Sequence, residues 1–212
     1  DMVGWARVSA EKILGVKLEV TGRENLPKPS RGHMYISNHQ SYVDILVLMV
    51  ALDTVAFLSK SLVRLFPVLG RSAWCGGTVF IERGRSDDRE RALQETLKMC
   101  HQSTAVVVFP EGTRGDEGKI REKIHPRAIQ EAWRHGLRVI PVSVAGTGIV
   151  FPKSMDRVRP GQPASVQIGR VVNPADYDSA DDFTEACWSK VKELHLAAKI
   201  RCEELRQREG LS

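Results

Sequence analysis

The stretch TAVVVFPEGTRGDEG, residues 104–118, decides the fold. Its first six residues are a continuous apolar run rich in β-branched side chains. That pattern predicts a strand buried on both faces, the kind found in parallel sheets covered by helices on either side. Pro110 ends the run and a polar loop follows to Gly118. Outward from it, strands are expected at 17–22, 33–37, 55–59, 78–82, 138–144 and 165–172. Helices are expected between them at 42–52, 61–69, 87–103 and 126–135. The 42–52 helix is apolar nearly all round and so should be buried. Strands alternating with helices make an α/β fold with a mostly parallel central sheet flanked by helices.

Two amphipathic helices should close the chain at its ends. One covers about 2–14, with Trp5, Val8, Ile13 and Leu14 towards one side. The other covers about 180–208, where Phe183, Cys187, Val191, Leu194, Ala198, Cys202 and Leu205 step by threes and fours. Residues 1–212 read as one domain. The irregular stretch 145–164 is long for a compact domain, which marks it as functional or mobile.

Composition removes several classes. With 42% hydrophobic and 27% charged residues the chain can bury a core, so bulk disorder is out. The longest clean apolar run, Ile45 to Leu52, is far short of the roughly 18 residues a spanning helix needs. The chain starts at Asp1 rather than Met, so we expect a fragment or processed form. A net charge of +5 suits an anionic partner. Only 6% aromatic residues and no recognition motif argue against nucleic acid. Cys75, Cys100, Cys187 and Cys202 lack zinc or redox spacing and read as free thiols. No phosphate-cradling glycine motif is present.

Four segments carry chemistry. In NHQSYVD (38–44), His39 and Asp44 would lie about 140° apart on a straight helix. They meet only if His39 sits on the turn before the helix and Asp44 on its first turn. A carboxylate-held His is an oriented general base. The plain alternative is that Ser41 and Asp44 form a capping box. In FPEGTR (109–114), a loop beyond a buried strand offers Gly112 for an unusual turn and Arg114 as a fork for phosphate. The alternative is a surface turn with a Glu111–Arg114 ion pair. In VFIERGR (79–85), Arg83 and Arg85 follow a strand end, or belong to a solvated loop. In the segment from Lys60 to Gly70, Val63, Leu65, Phe66, Val68 and Leu69 make an apolar ridge for a membrane or acyl chain, or a helix packed in the core. Cys75 reads as buried and structural rather than nucleophilic.

In this order the segments resemble the glycerophospholipid acyltransferases, specifically the bacterial-type 1-acyl-sn-glycerol-3-phosphate acyltransferases. The NHxSxxD block is matched by Asn38, His39, Ser41 and Asp44. The second block resembles Phe80-Ile81-Glu82-Arg83, FPEGTR is complete at 109–114, and Val139-Ile140-Pro141-Val142 matches the fourth. Lys60, Pro67 and Gly70 match a KxxxxxxPxxG segment. The resemblance covers roughly 17–172. Two departures stand out. The family often has Phe and a Lys-Gly pair after the third block, where this chain reads GKIREKIHP (118–126), and Gly115 replaces a common Ser. Members also commonly carry an N-terminal membrane helix.

The resemblance implies direct acyl transfer, without metal or covalent enzyme intermediate, to the free sn-2 hydroxyl of lysophosphatidic acid. His39 would take the hydroxyl proton and Asp44 would orient it. Lys60, Arg83 and Arg114 would hold the phosphate, while Glu111, Gly112 and Thr113 shape the acceptor site. No cofactor is expected to be bound; acyl-coenzyme A or acyl carrier protein supplies the acyl group as substrate. The expected setting is an anionic membrane surface on the cytoplasmic side, reached peripherally or through an N-terminal segment missing from this chain. Another lysolipid acceptor (lysophosphatidylcholine, a lyso-ornithine lipid, glycerol 3-phosphate), a transacylase and a non-catalytic lipid-binding module remain alternatives.

Overall fold

A computed structural model describes residues 2–27, 33–52, 56–60, 79–81, 86–102, 105–154 and 156–211. Among the described residues seven strands form one sheet: β1 (Lys17–Thr21), β2 (His33–Ser37), β3 (Ala56–Lys60), β4 (Val79–Ile81), β5 (Val106–Val108), β6 (Arg138–Ala145) and β7 (Pro163–Ile168). Their order is β1-β7-β6-β2-β5-β3-β4. Every pairing is parallel except that of β6 with β7. The central strands are buried on both faces, as the apolar run of β5 requires. Alternation along them divides the core. Tyr35, Val107, Ile140, Val142 and Val144 point to one side, and Met34, Ile36, Val106, Val108 and Val139 to the other.

Helix α1 (Met2–Arg7) and α2 (Val43–Ala51) belong to the first side. All nine residues of α2 are buried, which its all-round apolar sequence anticipates. The second side holds α3 (Ser86–His101), α4 (Arg127–Arg134) and the long α6 (Ala180–Arg208). A one-turn α5 (Thr147–Val150) lies inside the irregular 145–164 stretch. Ser179 starts α6, its hydroxyl accepting the Asp182 N–H. No helix among the described residues is long and apolar enough to cross a membrane. Cys100, Cys187 and Cys202 are buried free thiols pushed up to about 12 by burial, while Cys75 lies outside the described residues.

Two local expectations shift. The N-terminal segment continues from α1 as a π-helical turn, Val8–Ile13, with more residues per turn than an α-helix. Its phase therefore rotates. Small Ala6, Ser9 and Ala10 face the core, Trp5 and Leu14 pack partly against it, and Val8 and Ile13 are 52% and 63% exposed. The strand expected at 165–172 leaves the ladder after Ile168. The next position lies opposite Pro141, which has no N–H to donate; its carbonyl accepts the Gly169 N–H instead, and pairing resumes as a bridge between Val172 and Val139.

β2, β5 and β6 run parallel, so their carboxyl ends lie at one edge. There β2 delivers Asn38 and His39, β5 delivers Phe109 to Arg114, and β6 delivers Gly146 and Thr147. β3 ends at Lys60 at the same edge. In open α/β sheets this edge is where ligands bind.

Candidate active site

His39 follows β2 on the turn into α2. Its Nδ1 lies 2.8 Å from Oδ2 of Asp44, one turn into the structure the sequence predicted. That same oxygen accepts the N–H groups of Gln40 (2.7 Å) and Ser41 (2.9 Å). The cap and the dyad are therefore one arrangement: Asp44 closes the helix start and holds the imidazole with the same oxygen. Asp44 is wholly buried, whereas the His39 side chain is 14% exposed. Because Nδ1 faces a carboxylate, the neutral ring carries its proton on Nδ1 and keeps the lone pair on Nε2.

The FPEGTR loop grips His39 from the other side. Phe109 stacks on the ring with centroids 4.2 Å apart. Oε1 of Glu111 accepts the His39 N–H at 3.0 Å, and the Gly115 N–H donates to the His39 carbonyl at 2.7 Å. Gly112 turns the loop at φ +67°, and a Cβ there would lie 2.6 Å from the His125 ring. Glycine is thus required both by the backbone and by His125 above it. Thr113 is half-buried beside it. Arg114 does not form the surface pair with Glu111 that the sequence allowed. Its guanidinium lies 3.9 Å over the Tyr42 ring, and its buried Nη1 has no hydrogen-bond partner among the described residues.

Glu111 is the most perturbed acid here. Burial pushes its carboxyl up from 4.5 to about 7; the Asp44 charge adds to this, and the His39 N–H and Arg121 oppose it. An acid raised on folding contributes stability below its unfolded value, and that contribution is lost as the pH rises through the folded value. The window is pH 4.5 to about 7. At about 1.4 kcal/mol per pH unit the loss reaches about 3 kcal/mol. Glu111→Gln should remove it: urea unfolding of variant and wild type should diverge by that amount between pH 4.5 and 8, the variant being relatively more stable at the alkaline end.

Behind this layer lies a second one. The Asn38 amide bonds both backbone groups of Val144, and its Oδ1 accepts the Ser143 hydroxyl at 2.9 Å. Having given its proton to Asn38, Ser143 accepts from Nδ1 of His195 on α6 at 3.1 Å. Burial, with Lys199 next, pushes the His195 imidazole down from its ordinary value. Glu117 accepts the Gly146 N–H at 3.0 Å, and burial pushes its carboxyl up.

The sequence profile of the family described as Acyltransferase matches residues 17–145, well over half the chain, with His39, Asp44 and the FPEGTR loop inside the match. This chain belongs to the acyltransferase family. It is 34% identical over 159 residues to a 1-acyl-sn-glycerol-3-phosphate acyltransferase of Chlamydomonas reinhardtii, covering 74% of this chain and 47% of that protein. It is 35% identical over 117 residues to a lyso-ornithine lipid O-acyltransferase of Pseudomonas aeruginosa, covering 55% of this chain and 44% of that protein. The chain thus spans about half the length of these relatives. The crystal structure of a 1-acyl-sn-glycerophosphate acyltransferase of Thermotoga maritima superposes with a TM-score of 0.75 at 27% identity, over 97% of this chain and 78% of that one. The mostly parallel sheet with flanking helices is therefore the acyltransferase fold.

The structure brings His39, Asp44, Glu111, Gly112, Thr113 and Arg114 together at this edge of the sheet. Arg83 lies outside the described residues, as do the Lys60 side chain and the 61–70 ridge. Sequence reasoning missed Thr147, whose hydroxyl donates to Oδ1 of Asp44, the buried Ser143 and His195, and the half-buried Glu117. The sole hint for Thr147 was its place in the long 145–164 stretch.

Proposed function

We propose that the chain transfers a fatty acyl group from an acyl thioester to the free sn-2 hydroxyl of lysophosphatidic acid, giving phosphatidic acid. The observation that carries this reading is the His39–Asp44 pair at the joint carboxyl edge of β2, β5 and β6, in the same loop cluster as a buried Arg114 nitrogen that has no hydrogen-bond partner among the described residues. His39 Nε2 takes the proton of the acceptor hydroxyl, and Asp44 stabilises the imidazolium. The hydroxyl oxygen attacks the thioester carbonyl. The tetrahedral intermediate collapses, breaking the C–S bond, and the sulfur leaves with the proton returned by His39. No covalent enzyme intermediate and no metal enters these steps.

The acceptor phosphate is held by Arg114 together with Lys60 and Arg83. Glu111, placed beneath His39 rather than at the surface, fixes the backbone of the base, and Gly112 and Thr113 line the acceptor side. Acyl-coenzyme A or acyl carrier protein delivers the acyl group. The net charge of +5 and the exposed Val8 and Ile13 suit peripheral attachment to an anionic membrane on its cytoplasmic face.

The test is thiol release from a long-chain acyl-coenzyme A, with and without lysophosphatidic acid. Release that requires this acceptor supports the reading. Release only with a lyso-ornithine lipid or lysophosphatidylcholine would move the acceptor, and no acceptor-dependent release from either thioester donor would overturn the activity. Arg114→Ala should raise the KM for lysophosphatidic acid about ten- to hundredfold, the worth of a charge-assisted bond to phosphate, while the donor KM moves far less.

A further inference from the structure

Asp44 has two oxygens, and the dyad uses one. Oδ2 is filled by His39 Nδ1 and the N–H groups of Gln40 and Ser41. Among the described residues Oδ1 meets a single hydrogen-bonding group, the hydroxyl of Thr147, 103 residues further along the chain. Thr147 is fully buried. Three donors hold Oδ2 in place, but the tilt of the carboxylate plane about that oxygen depends on what holds Oδ1.

Thr147 is itself firmly placed. Gly146 before it adopts φ +91°, where a Cβ would lie 2.3 Å from the Pro163 carbonyl oxygen and 2.6 Å from Cys202 Sγ. The chain can therefore press against β7 and α6 only as glycine. The Gly146 N–H is tied to Glu117. After α5, the Phe151 carbonyl accepts the Ser41 hydroxyl at 2.7 Å, and Ser41 Oγ in turn accepts the Val43 N–H at 3.1 Å. Residues 146–151 thus grip the turn between His39 and α2 at two points, Asp44 and Ser41, while β7 and α6 hold them from behind.

We propose that Thr147 is a positioning residue for acyl transfer: by anchoring Oδ1 it fixes the Asp44 carboxylate plane, and so keeps His39 in the Nδ1–H tautomer with Nε2 aimed at the acceptor hydroxyl. This rests on His39 acting as the base. Thr147 touches no substrate. Its loss should slow the chemical step without weakening binding, since small misplacements of a catalytic group cost up to about 10²-fold.

The experiment compares wild type with Thr147→Val, which keeps the shape and removes the hydroxyl, and with Thr147→Ser, which restores it. Expected for Thr147→Val are a kcat lower by about ten- to a hundredfold, KM values for both substrates unchanged within about twofold, and a smaller Nδ1–H population of His39 in the ¹⁵N imidazole spectrum. Thr147→Ser should return kcat to within a few-fold of wild type. A folded Thr147→Val with wild-type kcat overturns the proposal, as does a slow variant whose His39 tautomer is unchanged. If Thr147→Val does not fold, Thr147→Cys, a weak donor of similar size, takes its place: an intermediate kcat supports the role and a wild-type kcat overturns it. His39→Ala in the same assay separates the two claims. If it retains acyl transfer, the base assignment fails; if it is dead while Thr147→Val is fully active, only the role of Thr147 fails.

Discussion

His39→Ala is expected to lower acceptor-dependent thiol release by about 10²–10⁴-fold, the usual worth of a positioned general base. The structure makes this variant a clean probe. The bonds that tie His39 to the FPEGTR loop are made by its backbone: its N–H donates to Glu111 and its carbonyl accepts from Gly115. Alanine keeps both. What goes is the ring, its stack on Phe109 and the Nδ1 bond to Asp44. Asp44 keeps the Gln40, Ser41 and Thr147 donors and stays satisfied. Thermal unfolding should therefore change little while turnover collapses. Unchanged acceptor-dependent turnover in a folded His39→Ala would falsify the proposed base. Release that no longer depends on acceptor would point to thioester hydrolysis instead.

The parts of this arrangement legible in the sequence are those with local signatures. The buried run at 104–109 announces a parallel sheet, and the strand–turn–helix reading around His39 brings it to Asp44 although five residues on a helix would part them. The FPEGTR loop is placed at the correct edge because the strand before it is. Side-chain direction and long-range partners are not local. Glu111 reads as an acceptor-site residue, yet after β5 the chain turns it inward beneath His39, with Oε1 on a backbone N–H 72 residues away. Thr147, Ser143 and His195 reach the site only through the register of β6 on β2 and the packing of α6, neither of which leaves a mark in composition or spacing. At the N-terminus a helical period predicted the buried side, and a single π turn rotated it.

Asp44→Asn decides between the two roles that one carboxylate fills. A helix cap needs only an acceptor. Three donors converge on Oδ2, so the amide oxygen must take that place and continue to receive Gln40, Ser41 and His39 Nδ1–H. The amide nitrogen then faces Thr147, whose hydroxyl can accept as readily as it donates. Cap and tautomer both survive, and the variant should unfold close to the wild-type temperature. Asp44→Ala differs: it leaves the buried donors of Gln40, Ser41 and Thr147 unpaired, at about 1–3 kcal/mol each, and should be visibly unstable. What asparagine removes is the negative charge 2.8 Å from a ring that, in the proposed mechanism, becomes an imidazolium. If that charge is part of the chemistry, kcat falls by about 10²–10⁴-fold in a folded protein. If Asp44 were a cap alone, Asp44→Asn would turn over like wild type. The comparison of kcat with unfolding temperature across the two variants separates the electrostatic role from the structural one, because the geometry lets asparagine keep every bond and lose only the charge.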